Sequence, residues 1–290
     1  MCRLHWAQTL EFNSKDPSIS NDVTPDQITP GQLGCARPAM AFDYRSASEQ
    51  DFFQFCSRLN PTRTVISELE GGLSIIKVSN DVVIKCGVGV SQQEADNQKK
   101  AFHLIDQTII RVPRVYRYVA WSNIGYIVME FIDGEPLRDF DDPNICAAIA
   151  GALNHFANIQ SAQPGPLGAG PARGILWTAC DSVLLSNIVD IENYYNTRQL
   201  ERHRRLSLQN LSLSLCHLDL VPRNVLQLKD GSLCLLDWAS AGFYPRFFEI
   251  CTLRINCPTS KILEACHMDQ REKLQADLLQ HAYCLGEKYA

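Results

Sequence analysis

The sequence predicts an α+β chain of two lobes: a small β-rich N-lobe with one main helix, then a larger, mainly helical C-lobe. Three observations predict this. Between Leu73 and Ile132 the hydrophobic pattern reads strand, strand, helix, strand, strand. Beyond Gly134 the texture becomes mostly helical, and inside that stretch lies one short β island around Lys229-Asp230-Gly231. At 290 residues the chain can build two lobes and a sizeable core without disulfide or metal staples.

Residues 1–50 form an N-terminal arm. Asn13–Arg37 is rich in Ser, Asn, Asp, Thr, Pro and Gly without a sustained period, so it reads as loop. The N-lobe is expected over 51–133. Leu73–Val78 and Val82–Cys86 form a hairpin through Ser79-Asn80-Asp81, and Gln92–Ile105 follows as a helix capped by Ser91. Val115–Trp121 and Tyr126–Ile132 make a second hairpin about the turn Ser122–Gly125. The C-lobe is expected over 134–290. Asp142-Pro143 opens a helix to about Gln160, Gln163–Gly174 is a Pro/Gly loop, and Ser182–Arg205 has helical spacing. Asn224–Leu228 and Ser232–Leu236 flank the compact turn of the β island.

With 46% hydrophobic and 20% charged residues, the chain is neither disordered nor fibrous. A net charge of −5 argues against a nucleic-acid partner. The one basic cluster, Arg202-His203-Arg204-Arg205, reads more simply as a solvated helix end or loop than as a phosphate dock. Twelve cysteines are scattered without a CxxC pair or zinc spacing, and Cys86, Cys216 and Cys234 lie inside apolar runs as small hydrophobes. Met1–Asp16 has no apolar leader core, and no run approaches membrane-span length. These features predict a reduced, cytoplasmic protein with no membrane partner and a monomer as its expected state.

The chemistry gathers around the β island. Asp219 and Asn224 lie on the approach Cys216–Asn224, and Asp237 ends the run Leu233–Leu236. A hairpin leaves its two ends side by side, so Asn224 and Asp237 should meet. A carboxylate and an amide oxygen at one point suit Mg²⁺, with water and substrate phosphates completing the shell. Asp219 would then take the proton of an attacking hydroxyl. H-x-D-x-x-x-x-N, a hairpin, then D is the catalytic core of kinase-like phosphotransferases. Any one of the three could be an ordinary turn residue, but three in this order point to a site.

Upstream features agree. Lys85 follows Val82-Val83-Ile84 on a strand, where a phosphate-binding lysine belongs. Glu94 opens the next helix and could hold Lys85 as an ion pair, while Ser91-Gln92-Gln93-Glu94 also fits a capping box; the ion pair is favoured because a buried lysine needs a partner. Lys77 is expected to face solvent. Gly71-Gly72 could turn a phosphate-covering loop, although a full G-x-G-x-x-G is absent. Met129-Glu130-Phe131, just before Asp133-Gly134, sits where backbone groups can read an adenine edge.

Cys216–Asn224, Leu235–Ala239 and Gly242–Pro245 together resemble the aminoglycoside phosphotransferase/choline kinase-like family, closest in texture to its fungal members. Pro166-Leu167-Gly168 and Ile191–Tyr195 are similar too, so the likeness covers about residues 65–250. The resemblance implies a protein-kinase-like fold and transfer of the ATP γ-phosphoryl group to a small-molecule hydroxyl. By motif, Asp219 would be the base, Asn224 and Asp237 the Mg²⁺ ligands, Lys85 the α/β-phosphate contact and Glu94 its orienting partner. His217 would be scaffold. Leu218 stands where a small or basic residue is commoner, Trp238-Ala239 replaces the Phe-Gly of protein kinases, and 53 residues follow Asp237, a short tail from which to build an acceptor pocket.

Two other readings compete. A protein kinase would need a long activation segment and an A-P-E anchor after Asp237, which the sequence lacks. A nucleotide-binding module without catalysis would be marked by loss of Lys85, Asp219, Asn224 or Asp237, and all four are present. For the acceptor, Asp139, Asp141, Asp142, Asp181 and Glu249 either line a site for a cation or are solvated helix-end charges.

Overall fold

A computed structural model describes residues 42–69, 72–177, 182–197, 205–258 and 260–289; the arm to residue 41, Gly71, Asp181 and Arg202-His203-Arg204 lie outside them. Helix α1 (Glu49–Cys56) starts at a capping box in which Ser48 and Asp51 each accept the other's backbone N–H. Its Phe52 and Cys56 are buried with Tyr44, Ile76, Ile84, Tyr126 and Val128.

β1 (Thr64–Leu69), β2 (Leu73–Lys77) and β3 (Val82–Val88) precede α2 (Gln92–Leu104), and β4 (Val115–Trp121) and β5 (Ile124–Glu130) follow it. They form one antiparallel sheet in the order β1-β2-β3-β5-β4. The expected β2–β3 hairpin and the Ser91 cap of α2 are present. The second hairpin is tighter than its sequence suggests. Trp121 pairs with Ile124, so the turn is two residues with Ser122 at φ 57°. Gly125 therefore lies in the strand rather than the turn. A Cβ there would stand 1.9 Å from the Val90 carbonyl oxygen, so β5 admits only glycine where the chain enters α2.

The C-lobe runs through β6 (Gly134–Pro136), α3 (Pro143–Asn158), β7 (Gln160–Ser161), β8 (Gly165–Pro166), α4 (Ile188–Asn196), β9 (Leu213–Cys216), β10 (Val225–Leu228), β11 (Leu233–Leu235) and β12 (Gly242–Pro245). Helices α5 (Phe247–Asn256), α6 (Ile262–Ala265) and α7 (Gln270–Tyr289) close it. α3 begins as predicted, with Asp142 accepting the N–H groups of Asn144 and Ile145. The helical spacing of 182–205 overreaches: only α4 is helical among the described residues, because the capping box of Asn187 and Asp190 fixes its start. The β island is also larger than expected. β10 and β11 gain β6 as a third strand, and β7-β9-β12-β8 form a second small sheet. Two- to four-residue strands carry too little alternation to be read from sequence.

Two core clusters fill this lobe, one centred on Trp238 and Phe156, the other on Tyr244, Phe247 and Phe248. The first includes Ala101 and Ile105, so the C-terminal end of α2 is rooted in the C-lobe. The whole is a two-lobed α+β, kinase-like arrangement.

Candidate functional site

The β10–β11 hairpin fixes the site because it is stitched on both edges. β10 pairs with β6 directly after the inter-lobe segment, and β11 is held by Arg111, whose N–H and C=O bond Leu233 and Leu235 at 2.9 Å each. The register Val225↔Leu235 extends through the Leu236 N–H, which donates to the Asn224 carbonyl at 2.8 Å. Asn224 and Asp237 consequently emerge from adjacent strand ends.

Asn224 is buried, and its side-chain NH₂ donates to both the backbone oxygen and the carboxylate of Asp219 at 2.9 Å. That commits the amide nitrogen and leaves Oδ1 as the side chain's acceptor. Burial pushes the Asp219 carboxyl up to about 6 against the pull of Arg223, whose guanidinium stands 3.4 Å from both its oxygens. Asp237 occupies the left-handed region at φ 62° and ψ 71°, unusual for a residue other than glycine. Its carboxylate meets the Lys85 ammonium at 3.2 Å.

Lys85 and Glu94 pair at 2.6 Å, both buried. The two readings of Glu94 are resolved by its separate groups: its backbone N–H donates to Ser91 Oγ at 3.2 Å, while its carboxylate goes to Lys85. Lys85 thus stands between two carboxylates from opposite lobes. Burial works against its charge, but Asp237 and Glu94 hold the ammonium above its ordinary range. Burial likewise opposes the Asp237 charge, and Lys85 holds that carboxyl below the usual range.

His217 is fully buried. Its Nδ1 accepts the Asp219 N–H at 3.2 Å, so Nε2 carries the proton and donates to the Leu236 carbonyl at 3.0 Å. Burial holds the ring neutral, down to about 4, and it packs edge-on against Trp238. Glu249, one of the residues weighed for a cation site or a solvated helix end, is neither. It is buried on α5, where one carboxylate oxygen accepts the N–H groups of His217 and Leu218. That grip holds Leu218 at φ 63° and presents the next residue, Asp219. Asp142 serves as the α3 cap, Asp139 accepts the Asp141 N–H, and Asp181 is outside the described residues.

One buried residue was missed by sequence reasoning. Asn97 on α2 donates to the Trp238 and Ala239 carbonyls at 2.9 and 3.2 Å, and accepts the Gly168 N–H at 2.6 Å. It ties the helix carrying Glu94 to the turn after Asp237 and to the 163–174 loop. Its only sequence signal is a polar residue on the helix face that also carries Glu94 and Ala101.

In the inter-lobe segment, Glu130 N–H donates to Arg114 and Phe131 N–H to Asp81, both at 2.9 Å, so these two donors belong to the sheet. The Glu130 carboxylate pairs with Arg111 at 2.8 Å, and the Met129 sulfur lies 3.5 Å from Gln98 Nε2. Lys77 is not free in solvent: its ammonium sits 4.3 Å above the Phe131 ring. Gly72, beside the undescribed Gly71, has φ +81° and open space around it.

Among the described residues no group of three or more His, Cys, Asp or Glu side chains could hold a metal. Asn224 Oδ1 and the Asp237 carboxylate are donors of a different kind. Their chemistry would suit a hard cation, since one is a neutral oxygen with its nitrogen committed elsewhere and the other is held ionised.

The fold matches solved structures at low identity. An apo thermostable mutant of aminoglycoside phosphotransferase APH(4)-Ia is 16% identical, with TM-score 0.52, over 78% of this chain and 86% of that one. Another thermostable mutant of the same enzyme, in ternary complex with AMP-PNP and hygromycin B, is 15% identical with TM-score 0.53, covering 83% and 92%. A Haemophilus somnus protein assigned as a fructosamine-3-kinase is 13% identical with TM-score 0.55, covering 78% and 85%. No curated protein matches significantly. The sequence profile of the phosphotransferase enzyme family matches residues 82–283, from the strand of Lys85 past the hairpin and α5 into α7. The chain belongs to that phosphotransferase enzyme family.

Proposed function

We propose that this chain transfers the γ-phosphoryl group of ATP to a hydroxyl of a small-molecule acceptor, with Mg²⁺ held by Asn224 and Asp237 and with Asp219 as the base. The observation that carries this reading is the bonded pair Asn224–Asp219 standing beside an Asp237 that is tied to Lys85 across the lobes. Residues 51–133 form the nucleotide-binding lobe and 134–290 supply the catalytic loop and acceptor site. Similarity in fold to an enzyme captured with AMP-PNP and hygromycin B supports nucleotide and small-molecule use.

Phosphoryl transfer asks mainly for positioning and charge neutralisation. Lys85, oriented by Glu94, meets the α/β-phosphates. The ion, when bound, supplies charge neutralisation on the phosphate oxygens. The segment Met129-Glu130-Phe131 lines the adenine edge. The Glu130 and Phe131 N–H groups are engaged in the sheet, so the base is read by backbone groups of this segment other than these two donors. Asp219, with Asn224 holding one oxygen and Arg223 beside it, aligns the acceptor hydroxyl and takes its proton late, a role typically giving about 10²–10⁴ in rate. His217 stays neutral and holds the loop.

Ten residues after Asp237 the chain is already in α5, which leaves no long activation segment and disfavours a protein substrate. Asp142 and Glu249 are committed to backbone groups and do not favour a cationic acceptor. The proposed enzyme is a cytoplasmic monomer that resembles fungal members in texture. Incubation with Mg·ATP and a metabolite extract, followed by mass spectrometry for products heavier by one phosphoryl group, tests the activity. Products dependent on Asp219 support the proposal; silence across extracts with ATP binding intact would replace it with a non-catalytic nucleotide module.

A further inference from the structure

The N-lobe sheet is covered on both faces. On one, Ala95 of α2 packs with Val115 and Ile127. On the other, Phe52 and Cys56 of α1 pack with Ile76, Ile84, Cys86 and Tyr126. Side chains alternate along a strand, so β3 turns Lys85 toward α2 and the next residue, Cys86, toward α1. Phe52 and Cys56 lie one turn apart on α1, at i and i+4, and Cys86 is paired with Tyr126 across β3 and β5. The Phe52 ring stands 5.8 Å from the Tyr126 ring, which seats the helix so that Cys56 meets Cys86.

The two thiols are hydrogen-bonded to each other, with Cys56 as donor. This bond holds the Cys86 thiol below its ordinary range against burial, and the Arg63 charge helps. The same bond, with burial, pushes the Cys56 thiol up. Arg63 is itself fixed, its Nη1 on the Cys56 carbonyl at 3.2 Å and its Nη2 on Glu68 at 2.6 Å. A proton-sharing thiol pair beside a guanidinium is the setting in which one sulfur becomes a nucleophile. Other described cysteines differ. Cys146, Cys216 and Cys251 give their protons to backbone carbonyls, and Cys216, Cys234 and Cys251 are 0% exposed. Cys56 and Cys86 keep 7 and 6% exposure, and Cys56 is the last residue of its helix, where fraying admits a small oxidant.

We propose that Cys56 and Cys86 form a reversible oxidation site, converted by a hydroperoxide into a disulfide that staples α1 to the strand carrying Lys85. The Cys86 sulfur attacks the peroxide and the O–O bond breaks. One hydroxyl stays on sulfur as a sulfenic acid, and the other leaves as water with the Cys86 proton. Cys56 then attacks that sulfur, the S–O bond breaks, and its thiol proton leaves with the hydroxyl as a second water. Two thiols lose two electrons and two protons, and hydrogen peroxide is reduced to two waters. Exchange with two small thiols, which become a disulfide themselves, restores the pair. In a reducing compartment it therefore rests as the dithiol. The site is independent of the phosphoryl-transfer reading.

The test treats the full chain, reduced and then freed of reductant, with a small molar excess of hydrogen peroxide. Mass spectrometry of an unreduced digest maps the disulfides. The peptide holding Cys56 should be linked to the peptide holding Cys86 ahead of any other pair. Closing a loop of about 30 residues should raise the melting temperature by about 5 °C or more, and a thiol reductant should return it to its starting value. Cys86→Ala should lose both the link and the shift, while Cys146→Ala should keep both. Cys56→Ala gives the same reading if Cys86→Ala misfolds, and the wild-type map decides by itself should both fail. Absence of a Cys56–Cys86 link, a link formed no faster than those among the other cysteines, a linked chain with unchanged melting temperature, or a shift that persists in Cys86→Ala would overturn it.

Discussion

Lys85 is the cation between two acids, with Glu94 and Asp237 reaching it from different lobes at 2.6 and 3.2 Å. Removing one member of a buried ion pair strands its partner and costs about 3–5 kcal/mol. Lys85→Ala leaves two carboxylates facing each other, so urea denaturation should show a loss of about 3 kcal/mol, with nucleotide affinity down at least tenfold. Unchanged stability would mean that solvent screens the cluster. Glu249 gives a pH signature. Its carboxyl titrates near 7 when folded and near 4.5 when free, so the folded chain holds more protons between these values. Its stabilising contribution is therefore full below about pH 4.5 and is lost as pH rises through about 7, amounting to about 3 kcal/mol. His217, held down to about 4, works in the opposite sense below about 6.5, so the wild-type profile alone is partly self-cancelling. The difference between wild type and Glu249→Gln isolates the glutamate: the wild type should lose about 3 kcal/mol relative to the variant between pH 4.5 and 8. Parallel stability profiles would contradict the assigned burial.

Among the elements, α2 is the strut between chemistry and scaffold. Glu94 in its first turn faces Lys85, Asn97 one turn on clamps Trp238, Ala239 and Gly168, and Ala101 and Ile105 are rooted in the C-lobe core. Asn97→Ala should cost about 1–3 kcal/mol through three unpartnered backbone groups and should speed hydrogen exchange in residues 165–170 and 238–240. Gly168→Ala tests the same joint from the loop side. A Cβ there would meet Gln93 O and Asp96 Cβ at 2.9 Å, so comparable loop exposure is expected. If neither variant alters exchange, the loop is held by other contacts. These elements also show what sequence could disclose. The 73–86 hairpin, the Ser91 cap and the 225–235 hairpin were legible because alternation and capping chemistry are local. Asn97 was not, since its three partners lie about 70 and 140 positions away. Nor was Glu249, which looks like any helix-end acid until α5 packs behind the catalytic loop. Helix α1 was hidden by its length, and β7 and β8 by having two residues each.

At the scale of the molecule, the two lobes join through the 130–134 segment, the foot of α2 and the β11-β10-β6 sheet, and this junction is the line that matters for the site. Lys229–Asp133 bridges this line at 2.6 Å, but both side chains are largely exposed and the pair contributes little. The stronger link is Lys85–Asp237, which joins the N-lobe sheet to the end of the hairpin. A ligand that engages both partners should stabilise the chain globally. Saturating Mg²⁺ with a non-hydrolysable ATP analogue at about 100 times its Kd should add about 2.7 kcal/mol. The most direct measurement is calorimetric titration of that Mg²⁺–nucleotide pair into the wild type, Asp237→Ala and Asp219→Asn. Heat of binding should vanish in Asp237→Ala and persist within about threefold affinity in Asp219→Asn, because only the first residue is assigned to the metal. Equal binding by all three proteins would show that Asp237 holds no ion, and the convergence of Asp219, Asn224 and Asp237 would then be structural alone.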